Sequence, residues 1–203
     1  MQSILPRGRA PVLFTLAYAI LFSAGFMYGG NKEFVLYTVV VFALLALVVY
    51  VLHHIDVPQP MLWSLSVVGM LHMAGGGMHV DGERLYGYQL IDIYTAEIPG
   101  LLILKYDQLV HLVGYGVLAV IVLFLLHRIA PQMNALVRAL LSALAAMAAG
   151  SLNELAEFIA VLSLPSTGVG NYFNSMLDLS FNTLGAILGV IIYESWVRFS
   201  RSE

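Results

Sequence analysis

The chain has 203 residues, of which 60% are hydrophobic and only 10% charged, and its mean hydropathy is +0.87. That mixture excludes an ordinary soluble domain and marks a polytopic membrane protein. The formal charge of -3 is spread over scattered residues and leaves no basic footprint for nucleic acid, while the absence of cysteine removes disulfides, thiolate nucleophiles and thiolate metal sites.

In chain order, Arg7 and Arg9 precede an apolar run from Pro11 to Met27, with no small-residue cleavage site and soluble segment behind it. It reads as an uncleaved first span rather than a signal peptide. Runs long enough to cross roughly 30 Å of hydrocarbon fall near 11–29, 34–54, 61–79, 107–128, 134–164 and 177–198. Asn31-Lys32-Glu33, Asp56 to Pro60 and Arg128 to Asn134 are the short polar or proline breaks between them. The expected architecture is all-α: one transmembrane domain over residues 1–203, a compact bundle of about six transmembrane helices.

Basic residues near helix ends favour the cytoplasmic side. With the N-terminus inside, Arg7, Arg9, Arg128, Arg138, Arg198 and Arg201 are cytoplasmic, against Lys32, Arg84 and Lys105 outside. This predicts an N-in, C-in multi-pass protein of a bacterial cytoplasmic (inner) membrane, with the long connection 80–106 on the outer face.

The third helix ends in Leu71-His72-Met73-Ala74-Gly75-Gly76-Gly77-Met78-His79, where three glycines predict a loosened backbone, either a helix terminator or a close approach to a ligand. The connection that follows carries Tyr86, Tyr88, Asp92, Tyr94, Glu97 and Pro99, which suit an interfacial segment or a lid. The fourth helix opens with Asp107 and His111 one turn apart. Asp107 alone also suits a helix cap. The fifth carries Asn153-Glu154-Leu155-Ala156-Glu157 inside an apolar run, and the sixth has Asp178, Asn182, Gly185 and Gly189 along one face.

A carboxylate in hydrocarbon needs a partner, because an unsatisfied one costs several kcal/mol. In the expected topology His72, His79, Asp107, His111, Glu154, Glu157, Asp178 and Asn182 lie at similar depth in the outer half on four helices, and the inner half has no comparable set. Imidazoles with carboxylates are the ligand set of zinc, or of iron or manganese. This points to a divalent metal on His72, Asp107, His111 and Asp178, with Glu154 or Glu157 as general base. The architectural alternatives stay open: Asp178 as a helix cap, Asn182 as a bridge between helices, and His72, His111 and Glu154 as a network that sets helix register.

Tyr106-Asp107 with His111, then Asn153-Glu154 and Glu157, then Asp178 to Asn182 with Gly185-Ala186, resembles the VanZ-like membrane proteins, and His72-x-x-Gly75-Gly76 brings it nearer to the YjdF-like group. The resemblance implies a role at the outer face of the cytoplasmic membrane. Many VanZ-like proteins carry an Asp-Lys pair where this chain has Asp107-Gln108, which removes a basic neighbour.

The reading that follows is a metal-dependent hydrolase acting on a membrane lipid or lipid-linked substrate. The alternatives are a proton- or metal-coupled transporter and a lipid-binding or structural membrane protein.

Overall fold

The computed structural model describes residues 5–91 and 103–200. Six helices make up most of it: α1 (Leu5–Tyr28), α2 (Lys32–His54), α3 (Gln59–Gly77), α4 (Tyr106–Ile129), α5 (Ala135–Ser163) and α6 (Tyr172–Phe199). A short hairpin of β1 (His79–Val80) and β2 (Glu83–Arg84) and a 3-10 turn, Leu85–Gly87, follow α3. Every apolar run has become a helix. Five of them are long and apolar enough to cross a membrane, and α3 is not in that set. Gln59, Ser64, Ser66, His72 and the three glycines dilute it.

The distribution of polarity is that of a protein whose solvent is lipid. Leu21, Leu136, Leu152 and Leu162 are each at least 66% exposed, whereas Gln108, Asp178 and Asn182 expose at most 1%. In water this arrangement would cost heavily on both counts; in hydrocarbon apolar surface is free and polar groups have to turn inward.

The chain divides into two compact units, residues 1–88 with 160–168 and residues 89–159 with 169–203. In the first unit α1 packs on both α2 and α3. It runs antiparallel to α2, where Gly8 faces Leu52 and the rings of Phe26 and Phe34 lie 5.2 Å apart. It runs parallel to α3, where the Thr15 and Ser66 hydroxyls are 2.5 Å apart and Gly69 faces the Tyr18 hydroxyl. The core between them holds Tyr18, Ala19, Phe26, Phe34, Tyr37 and Met73, joined by Ala160.

The three glycines of α3 do not loosen the backbone as expected. The helix is regular through Gly77, and Met78 N–H closes its last turn on the Ala74 carbonyl at 2.8 Å. Each glycine seats an aromatic ring instead: a Cβ at Gly75 would overlap Tyr86, at Gly76 Phe34, and at Gly77 Phe22. Ring burial offsets the roughly 1 kcal/mol that each glycine costs a helix. Tyr86 is thus packed into the first unit. Asp92, Tyr94, Glu97 and Pro99 lie outside the described residues.

In the second unit α4 and α6 run parallel, and α5 runs antiparallel beside them. The α4–α6 contact is backbone on backbone. A Cβ at Gly185 would overlap the Leu112 carbonyl, one at Gly189 the Gly116 carbonyl, and one at Gly116 would stand 3.1 Å from the Gly185 oxygen. This is the small-residue packing that lipid favours, because close approach maximises dispersion contact. Ala119, Leu123, Ala146, Ala186 and Val190 form the dry core of this unit.

Candidate functional site

The close α4–α6 approach fixes which side chains can meet near the helices' N-terminal ends. Asp107 and His111, one turn apart on α4, face Asn174, Asp178 and Asn182, which follow one another at successive turns of α6. The His111 ring is held at both nitrogens: Nε2 lies 3.3 Å from Asp107 Oδ1, and Nδ1–H donates to Asn182 Oδ1 at 2.8 Å. Asn174 Nδ2 donates to Asp178 Oδ2 at 2.5 Å and to Asp107 Oδ2 at 3.4 Å. Its Oδ1 accepts from the Lys105 ammonium.

α5 supplies the third wall. Gly150 admits Asn182, whose Nδ2 would stand 2.6 Å from a Cβ there. One turn later Glu154 Oε1 is 3.8 Å from His111 Nδ1, and Glu157 accepts from Asn153 Nδ2 at 2.9 Å. Two groupings have donor atoms within 4.8 Å of one another: Asp107, His111 and Asp178; and His111, Glu154 and Glu157. His111 belongs to both.

Acceptors outnumber donors in this cluster. Both oxygens of Glu154 and Oδ1 of Asp178 are buried acceptors without a hydrogen-bond partner, and one donor, Nδ2 of Asn182, is unpaired beside them. Four carboxylates, those of Asp107, Glu154, Glu157 and Asp178, face two basic groups, His111 and Lys105, so full ionisation leaves two negative charges unmatched. A divalent cation answers that deficit in charge, and the orphaned oxygens answer its need for ligands. Oxygen and imidazole donors suit zinc, manganese or iron. A cation taking His111 has to displace Asp107 or Asn182 from one nitrogen, and the Asp107 contact is the longer of the two.

The remaining expected residues fall elsewhere. His72 is in the first unit and in neither grouping; its Nδ1 meets the Tyr86 hydroxyl, and its ring packs near Phe34 and Tyr37. His79 is exposed on β1. The capping alternatives for the two aspartates are not realised. The N-cap of α4 is Lys105 and that of α6 is Asn171, so Asp107 and Asp178 lie inside their helices with their carboxylates in the cluster.

Three participants escaped the sequence reading: Lys105, Asn174 and Gln108. Asn174 stands one helical turn before Asp178 on the face already marked by Asn182, so extending the i, i+4 pattern backwards would have found it. The other end of the α4–α6 pair is less empty than expected, since His127 Nε2 lies 4.0 Å from Glu194 Oε1. That oxygen is also buried without a hydrogen-bond partner.

Residues 10–198 match the family described as Predicted membrane protein (DUF2238). No curated protein and no solved structure matches the chain. The match spans nearly the whole sequence, and the chain belongs to that family.

Proposed function

For this member of the DUF2238 membrane proteins we propose a metal-dependent hydrolase that works on a lipid or lipid-linked substrate within the membrane. The observation that carries the reading is the shortfall of donors: buried carboxylate oxygens of Glu154 and Asp178 have no partner in a cluster with more acids than bases. Evolving such a cluster as mere architecture would be costly, because an unsatisfied buried polar group costs about 1–3 kcal/mol.

Asp107, His111 and Asp178 would hold the cation, with Asn174 orienting both aspartates and Asn182 orienting the imidazole. When bound, the cation would polarise the scissile ester or phosphoryl group and ease deprotonation of a water. Glu154, whose oxygens make no full hydrogen bond although Asn153, Ser175 and His111 stand near them, is better placed than Glu157 to accept that proton, since Glu157 holds Asn153 at 2.9 Å. With the N-terminus on the cytoplasmic side of a bacterial inner membrane, the orientation the basic residues favour, this chemistry would fall in the outer leaflet. The likeness to VanZ-like and YjdF-like proteins supports that side.

The test is turnover. Protein reconstituted with zinc or manganese in a native lipid extract should release a product seen by mass spectrometry, and Glu154→Gln or a chelator should abolish it. Undiminished turnover by Glu154→Gln, or none on any lipid class, contradicts the assignment.

A proton- or metal-coupled carrier is the rival, and the His127–Glu194 pair is what speaks for it. His111 and His127 are sixteen residues apart on α4, or about 24 Å. Beyond Tyr115, one turn after His111, the stretch toward His127 is lined by Ala119, Leu123, Ala186 and Val190, which are apolar. Uptake into proteoliposomes that follows a pH gradient and is lost in Glu194→Gln would favour the carrier.

A further inference from the structure

We propose that Lys105 is the docking point for an anionic oxygen of the substrate, and that the substrate class is therefore a phosphate ester or phosphodiester rather than a neutral ester. This rests on the metal reading above, because the carboxylates would repel a phosphate in a cluster without a bound cation.

The backbone presents Lys105 in one way. Leu104, just before it, has φ +66°, a left-handed conformation that costs a side-chain-bearing residue roughly 1–2 kcal/mol. The bend is held from several sides. The wholly buried Gln108 accepts Leu104 N–H at 2.6 Å and Lys105 N–H at 3.2 Å through one oxygen. Leu90 N–H donates to the Leu104 carbonyl at 2.9 Å, and Gln89 bridges Lys105. A strained turn kept in place by a buried glutamine calls for a reason at the residue it presents.

That residue's ammonium reaches Asn174, whose amide touches both Asp107 and Asp178. Lys105 is only partly buried, and among the described residues it is the one Lys or Arg in contact with the cluster. A point-charge donor with three rotatable N–H groups, one amide away from a divalent-cation site, is the pairing that binds phosphate oxygens. A neutral acyl ester would need only the cation and the base. The Asn174 carbonyl gives the ammonium a resting partner from which it can turn to an incoming oxygen.

The experiment uses the full chain in detergent, loaded with zinc, as wild type, Lys105→Met and Lys105→Arg. Zinc per chain is measured first, then equilibrium binding of inorganic phosphate, and of phosphatidic acid in phosphatidylcholine nanodiscs. Saturable phosphate or phosphatidic acid binding is expected, about tenfold or more weaker in Lys105→Met and largely kept in Lys105→Arg, with zinc content unchanged. Response to the nanodiscs alone assigns the site to a lipid headgroup, and response to inorganic phosphate alone to a soluble phosphate. Equal binding by Lys105→Met and wild type at full zinc overturns the proposal, as does a zinc-loaded wild type that binds neither probe. A wild type that holds no zinc removes the metal reading, and the phosphate assignment with it.

Discussion

The two units bury polar groups in opposite ways. In the first, Glu33 is buried, and its Oε2 accepts Arg84 Nη1 at 2.9 Å and Gly168 N–H at 2.8 Å, so one acid ties the start of α2 to β2 and to the segment after α5. His72 likewise meets the Tyr86 hydroxyl inside a ring of aromatics. In the second, four carboxylates share a histidine, a lysine and two asparagines, and some of their oxygens have nothing to accept. A matched set stabilises a fold, whereas an unmatched one costs it stability unless a ligand or proton completes it. Depth and residue type are alike in the two units; what differs between them is whether each buried acceptor has a donor.

The largest expected effect breaks the scaffold of the second unit. Gly185→Leu drives a side chain into the Leu112 carbonyl, and neither backbone can yield without parting α4 from α6. A loss of about 3 kcal/mol or more is expected, read as a drop in thermal midpoint in detergent together with loss of bound metal. An unchanged midpoint would show that the two helices are not in backbone contact.

Next comes the matched set. Glu33→Gln keeps the shape and removes the charge that Arg84 and Gly168 address, for an expected loss of about 1–3 kcal/mol. Arg84→Ala should cost less, since that side chain is 37% exposed and water shares its charge. In Glu33→Gln, Arg84→Ala should cost almost nothing further, a coupling that a double-mutant cycle measures directly.

The smallest stability effect sharpens the comparison most. Glu154→Gln removes a charge that no close hydrogen bond satisfies, His111 Nδ1 being 3.8 Å away, so the fold should be unchanged within about 0.5 kcal/mol or become more stable. If Glu154→Gln destabilises as much as Glu33→Gln, the second cluster is architecture too.

Part of this was legible beforehand. Six apolar runs gave six helices, and for five of them length and hydropathy alone suffice to cross hydrocarbon. The spacing of Asp107 and His111, and of Asp178 and Asn182, placed each pair on one helical face. What spacing could not give was lateral packing. His72 shares type and expected depth with His111, yet its partner is Tyr86, and that depends on the hairpin returning onto α3. The glycines of α3 do mark the helix end, which falls at Gly77, but their other role, seating Phe22, Phe34 and Tyr86, could not be read before those rings were placed. Lys105 was hidden for a similar reason: its position depends on the left-handed turn at Leu104, which nothing in a leucine announces.

The most direct test of the central claim is elemental analysis of the purified chain beside His111→Ala and Asp178→Asn, with each variant's fold verified by circular dichroism. Near-stoichiometric zinc, manganese or iron is expected in the wild type, with its loss from both folded variants. A wild type that holds no divalent metal after reconstitution, or folded variants that keep it, would contradict the account.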